Sequence, residues 1–298
     1  MTARVLMLCQ ATSPISHAAR TAGNEAVVAR QSILTDRGVV AVPFISGNAL
    51  RHVAVRAPGA RWLMDRLGLQ GKLSLPQLNF LLHGGNLTDG GGFEDTRLIA
   101  DSLRVLPLVG LLGGAAPTQI LSGSLLAGQG VLVCRETVGL MPPEILSLLP
   151  PGNLRPAETF ISGYQYTRGD AAKTAPDMLG QPEATDSNLM IFAGQAVMPG
   201  AWFAVDMTIF RRTEPAEFGA LLWSLRLWAA AGAKIGGQSA RGHGRLFPIV
   251  VAGPSEAEQD ELVAEYHRAV DERAEDARRW LADVFAPRSA KEKKGKAS

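Results

Sequence analysis

"GGQSARGHGRLFPIVV", residues 236–251, places four glycines and two arginines in its first ten positions and then turns apolar. The apolar half carries β-branched residues and reads as a strand. A glycine-rich loop that opens a strand differs from a dinucleotide fingerprint, which opens a helix. It also lacks the Gly-Lys-Ser/Thr ending of a P-loop. The loop offers backbone N–H groups, which glycine allows close to a ligand, at Gly237 and its neighbours. It adds Arg241 and Arg245, whose guanidinium forks match phosphate oxygens, together with Ser239 and His243 as further donors. The reading is an anion site beside the last strand of a sheet.

Working outward, Glu217–Ala231 (EFGALLWSLRLWAAA) predicts an amphipathic helix just before that loop. The stretch 196–210 before it predicts a strand in which Val205, Met207 and Ile209 alternate. At the other end, ARVLMLCQA (3–11) reads as a first buried strand, followed by a polar loop or hairpin over 12–43. ISGNALRHVAVR (45–56) predicts a helix capped at Gly47-Asn48 and broken by Pro58-Gly59, with a second helix reaching Leu67. SGSLLAGQGVLVC, ending at Cys134, predicts a strand or hairpin that turns at 128–130. Without insertions the order is β, α, β, β, α, β. The predicted fold class is therefore α+β, a ferredoxin-like, RRM-type βαββαβ core over 1–252. The stretch 70–104 reads as an inserted loop and helix, and 160–195 as a second insertion. An acidic helix, 253–285, and a disordered basic tail, 286–298, follow.

Charge is distributed unevenly. The formal total is only +2, yet residues 1–70 hold eight arginines against three acids, and 255–285 hold ten acids against four arginines. That asymmetry permits a local polyanion surface in a protein without overall basicity. Cys9 and Cys134 read as buried thiols, and no paired CxxC suggests zinc. The apolar runs are too short to span a bilayer, so a cytoplasmic protein without a membrane partner is expected. The five histidines (17, 52, 83, 243 and 267) show no metal-hydrolase spacing. No cofactor or metal is expected.

The candidate site gathers around the loop. Ser46, Gly47 and Asn48 lie at a helix N-terminus, where free N–H groups attract anions, and Arg51 sits on the first turn. Tyr164, Tyr166 and Arg168 lie in a long connector, where aromatic rings and an arginine can meet nucleobases by stacking. His17 is a possible general base. Asp89, Glu94, Asp95 and Asp101 read as a charged loop entering a helix.

The ordered set P-x-I-x-G-N-A-L-R (43–51), a glycine-containing LVGLLGG, and G-G-x-x-A-R-G-x-G-R (236–245) resembles the CRISPR-associated RAMP superfamily. The resemblance is to the crRNA-binding backbone subunits of multi-subunit effector complexes. It covers the layout of residues 3–252 and is close only at the first and last motifs. It implies an RRM-like palm whose copies stack head-to-tail along the guide part of a crRNA, with 160–195 as a thumb hairpin. The implied partners are crRNA, target nucleic acid paired to the guide, further copies of the chain and other effector subunits. Type III backbone subunits cut RNA with an aspartate in the loop before the first motif. Here Ala29-Arg30-Gln31 occupies that place, with Glu25 and Asp36 out of register. The resemblance is therefore nearest to a non-cleaving type IV subunit, with types I-D and III open. Three enzymatic alternatives remain: target-RNA cleavage at Asp36 or Glu25, crRNA processing by His17, and an unrelated metabolic enzyme.

Overall fold

The run RVLMLCQA is apolar at successive positions because both faces of its strand are covered. In the computed structural model, which describes residues 3–22, 25–36, 38–88, 95–150, 152, 154–167, 191–210 and 214–286, β1 (Arg4–Ala11) is central. Its odd-numbered residues Val5, Met7 and Cys9 face the main core, and Leu6 and Leu8 face a second, smaller one. Burial on both faces is what turns an alternating strand pattern into a continuous one.

Four hairpin strands follow: β2 (Ala18–Ala22), β3 (Glu25–Val28), β4 (Arg30–Thr35) and β5 (Gly38–Ile45). A helical stretch comes next, made of α1 (Gly47–Leu50), a wide π-turn (Arg51–Arg56) and α2 (Ala57–Arg66). The insertion carries α3 (Leu75–His83) and α4 (Thr96–Val105), and α5 (Pro107–Leu112) is buried throughout. Then come β6 (Gly113–Ala115), β7 (Ile120–Ser122), β8 (Leu125–Ala127), β9 (Gly130–Leu132) and α6 (Pro143–Leu146). Strands β10 (Ile161–Thr167), β11 (Ile191–Val197) and β12 (Trp202–Ile209) lead to α7 (Pro215–Ala230). Strand β13 (Leu246–Ala252) and helices α8 (Glu256–Glu272) and α9 (Ala274–Val284) end the described chain.

The main sheet runs β13-β1-β12-β9-β5-β4, with β8 also on β12. Taking β1, β9, β12 and β13 as the four core strands, with the α1–α2 stretch and α7 as crossovers, this is the 4-1-3-2 antiparallel order of a βαββαβ fold. The α+β class and the RRM-type core are as expected. A second sheet, β10-β11-β3-β2, stands beside it, joined through the Ile15–Val197 bridge.

Several local expectations change. The helix does not break at Pro58-Gly59. The N–H of Ala57 reaches back five residues to His52, and Pro58 occupies the first turn of α2, where its missing N–H is tolerated. Strands β8 and β9 are not a hairpin. Both pair with β12, and the Gly128 N–H bonds the Asp206 carbonyl between them at 2.7 Å, so they form one interrupted strand. Helix α7 is not amphipathic, because α2, α5 and α8 enclose it and it is buried on most of its circumference. The single charged helix over 255–285 is two helices meeting at Arg273. The first begins with a reciprocal cap between Ser255 and Glu258, and the pair packs into the main core through Val263, Tyr266, Val270 and Trp280. Helix α3 was not anticipated, although its Ser74–Gln77 capping box is written in the sequence. The helix expected within the 70–104 insertion is α4, capped by Asp95. Asp101 pairs with Arg104, and Asp89 and Glu94 lie outside the described residues.

Close packing of α7 on α8 depends on Gly219. A Cβ there would overlap the Leu262 carbonyl oxygen and lie 2.8 Å from the Tyr266 Cβ. Trp62, Trp223, Tyr266 and His267 form an aromatic cluster across α2, α7 and α8, with Trp62 stacked on His267 at 4.7 Å. Cys9 and Cys134 are buried free thiols, and burial pushes Cys9 up to about 12.

Candidate nucleic-acid interface

The segment after β1 organises the site. From Thr12 to His17 the chain crosses under the glycine-rich loop. The Arg245 carbonyl accepts the Thr12 N–H at 3.0 Å, and the Ser13 hydroxyl accepts the Arg245 N–H at 2.9 Å. The Pro14 carbonyl accepts from Gly244 N, and the Ser16 carbonyl accepts from Gly237 N, both at 2.8 Å. Ser16 Oγ lies 2.7 Å from His243 Nδ1. One residue on, His17 Nε2 accepts the Ser46 N–H at 3.1 Å. Ser46 in turn caps the following helix by accepting from Ala49 N at 3.2 Å, so the cap is Ser46 and not Gly47-Asn48. Motifs almost two hundred residues apart are thus tied to one short segment.

Within the loop, Ser239–Arg241 make a single 3-10 turn, and Gly244 is the tight point. Its φ is +82°, and a Cβ would overlap the Ile235 carbonyl oxygen, whereas its own carbonyl accepts from Ile235 N at 2.9 Å. Gly237, Ser239, Arg241 and Arg245 are exposed and His243 is half-buried. No partner bonds the Arg245 guanidinium among the described residues.

The hairpin β10–β11 supplies the third part. Tyr164 and Tyr166 lie on one face of β10, and Phe192 pairs with Tyr166 across the hairpin. The three rings are near parallel, with Tyr164 6.4 Å from Tyr166 and Phe192 5.2 Å from it. Tyr164 meets His243 edge-on at 5.0 Å, and the Arg241 Cζ lies 3.7 Å from the Tyr166 ring centroid. A guanidinium over a tyrosine face is a cation–π contact. Tyr166 therefore meets Arg241 over its ring and has Phe192 as a near-parallel neighbour across the hairpin. Arg168 lies outside the described residues.

Asn48 is exposed beside Ser46 and Gly47. Arg51 is set differently from the other site residues. Its guanidinium donates to the Leu112 carbonyl, next to Arg56, which donates to Gly113 O at 3.0 Å and to Leu112 O at 3.4 Å. The two cations meet the carbonyl end of α5, where positive charge is favoured. Burial, then the neighbouring Arg51, pushes Arg56 down to about 10.

Sequence reading missed Ser13 and Ser16. The polar break SPIS after an apolar strand was the available signal. It also missed Arg30, which pairs with Glu158 at 3.1 Å and donates to Gln195 on β11 at 3.4 Å. Glu25 lines a shallow concavity with Tyr164, Gln165 and Gln195, and Asp36 is exposed at the tip of the β4–β5 hairpin. Among the described residues, no group of three or more His, Cys, Asp or Glu side chains is placed to hold a metal, and no helix is long and apolar enough to cross a membrane.

His17 is spent as an acceptor, so its Nε2 carries no proton, and burial lowers its pKa from the usual 6.5. Because the folded value lies below the unfolded one, its contribution to stability is complete above pH 6.5. That contribution is lost as the pH falls through the lowered folded value. Urea unfolding of wild type and His17→Gln across this range is expected to give a stability difference that is flat above pH 6.5 and shrinks below it. A pH-independent difference would mean that His17 binds protons equally in both states.

No family model and no curated protein matches this sequence. Solved structures do. A chain of a Type IV-B CRISPR complex superposes with a TM-score of 0.57 at 20% identity, over 84% of this chain and 90% of that one. The two share a fold. Csc2 of Thermofilum pendens superposes with a TM-score of 0.42 at 13% identity, over 96% of this chain and 91% of that one, a level that adds nothing to the comparison.

Proposed function

We propose that this chain is a backbone subunit of a CRISPR effector complex. It holds the guide part of a crRNA through its phosphates, stacks head-to-tail with further copies, and presents the guide to target nucleic acid without cutting it. The observation that carries the reading is the convergence of the 46–48 turn, the 236–245 loop and the base of the β10–β11 hairpin on residues 12–17. Separated motifs gathered on one surface make a binding site, and here that surface is exposed, cationic and aromatic. The fold shared with a chain of a Type IV-B CRISPR complex agrees with it. Phosphate contacts leave sequence choice to base pairing. At Ala29-Arg30-Gln31 the chain places a paired cation where a cutting relative would need a carboxylate, which supports a non-cleaving role.

The test is to express the chain with a CRISPR array and resolve the co-purifying nucleic acid on a denaturing gel. Protected RNA of discrete length in large particles is expected. Large particles that carry no RNA would overturn the reading. Cleavage of a matched RNA by the assembled complex, abolished in Asp36→Ala, would overturn the non-cleaving part alone. In binding titrations, Arg241→Ala and Arg245→Ala are each expected to reduce the slope of log affinity against log salt by about one, irrespective of sequence. An unchanged slope would place that side chain off the phosphates.

A further inference from the structure

We infer that His243, held by Ser16, reads the ribose 2′-hydroxyl and so makes this site prefer RNA to DNA. The inference rests on the proposed nucleic-acid role and adds a sugar-recognising residue to it. Three loop side chains bear most directly on a nucleotide. Arg241 and Arg245 are permanent cations suited to phosphate. His243 stands two residues from each, and its position is fixed on two sides. Ser16, only 6% exposed, holds Nδ1 at 2.7 Å, and the Tyr164 ring closes one side at 5.0 Å. Nε2 has no partner among the described residues, and the side chain is half-buried, so this nitrogen is the group left to meet a ligand.

Burial, with the Arg241 guanidinium beside it, holds His243 below its usual pKa. That favours the neutral ring, which adds a directed hydrogen bond and no charge. The Ser16 hydroxyl can donate to Nδ1, leaving Nε2–H as a donor, or accept from Nδ1–H, leaving Nε2 as an acceptor. A phosphate oxygen only accepts, and it already has the arginines. A 2′-hydroxyl both donates and accepts, satisfies either tautomer, and lies one sugar away from each phosphate. DNA lacks it. The contact is independent of sequence, as a guide-holding surface requires.

The experiment measures binding of a mixed-sequence single-stranded RNA, and of DNA with the same sequence, to the full chain at one fixed salt concentration. Wild type is expected to prefer RNA. His243→Ala is expected to lose about fivefold in RNA affinity, the worth of one hydrogen bond, with DNA affinity unchanged. His243→Gln, which carries an amide at the Nε2 position, should restore part of the preference. Ser16→Ala should weaken it by freeing the ring. Equal loss of RNA and DNA binding in His243→Ala, or a preference that survives in that variant, overturns the inference while leaving the RNA-binding reading intact. Wild type binding both sugars equally does the same without any variant, so a poorly folded mutant cannot shelter the idea. Wild type binding neither polymer overturns the reading and the inference together.

Discussion

Gly219→Ala is expected to lower the thermal midpoint by roughly 6–10 °C. The figure follows from about 3 kcal/mol of overpacking and a few degrees per kcal/mol for a chain of this size. The sign is diagnostic. Alanine in place of an exposed helical glycine stabilises by about 1 kcal/mol through propensity. At position 219 the new methyl would enter the Leu262 carbonyl of α8 and press on the Tyr266 Cβ. Neither neighbour is the free end of a flexible side chain, so the two helices must separate. Tyr266, which is fully buried, and the aromatic cluster around it would lose their fit. A differential scan of the purified variant measures the shift, and a rise in midpoint would mean that α7 and α8 are farther apart than described.

The second large effect falls on binding. Gly244→Ala is expected to weaken RNA affinity on the order of a hundredfold while leaving the sheet folded. A left-handed φ costs an alanine about 1 kcal/mol, and the added methyl overlaps the Ile235 carbonyl. The loop must shift, and the Gly244–Pro14 and Gly244–Ile235 bonds break with it. His243 and Arg245 flank this residue, so both lose their positions, and Arg241 moves with the same short turn. Three contacts of about 1 kcal/mol each amount to roughly a hundredfold in affinity. Titration against RNA, with circular dichroism to verify the fold, decides the outcome. Unchanged affinity would separate the loop from the binding surface.

The sequence made the central sheet legible because its strands are short apolar runs bounded by glycine and proline. The same reasoning failed for α7. Its apolar residues cover most of the circumference, since α8 closes a side that a lone amphipathic helix would leave to water. That closure is a tertiary fact with no local signal. Arg273 ends one helix and precedes the next without a glycine or proline to mark the break. The π-turn ahead of Pro58 is equally silent, because the wider hydrogen-bond pattern has no composition of its own. At the site, glycine spacing and arginine content disclosed the 236–245 loop. Ser13 and Ser16 look like ordinary turn residues until the chain folds back under that loop. Arg51 matched the early motif, but only the structure shows it beside Arg56 at the carbonyl end of α5.

The Arg241 guanidinium over the Tyr166 ring has a thermodynamic consequence. In the proposed nucleic-acid role, a nucleobase would stack where Arg241 now lies only in the fraction of molecules from which Arg241 has withdrawn, so its observed affinity there would be the intrinsic affinity scaled by that fraction. A phosphate that draws Arg241 away raises the fraction, and a base already on Tyr166 leaves the guanidinium free for phosphate. By linkage each event favours the other to the same degree. Successive nucleotides would then fill the hairpin and the loop together, giving a cooperative grip from two groups that occupy each other in the unbound chain.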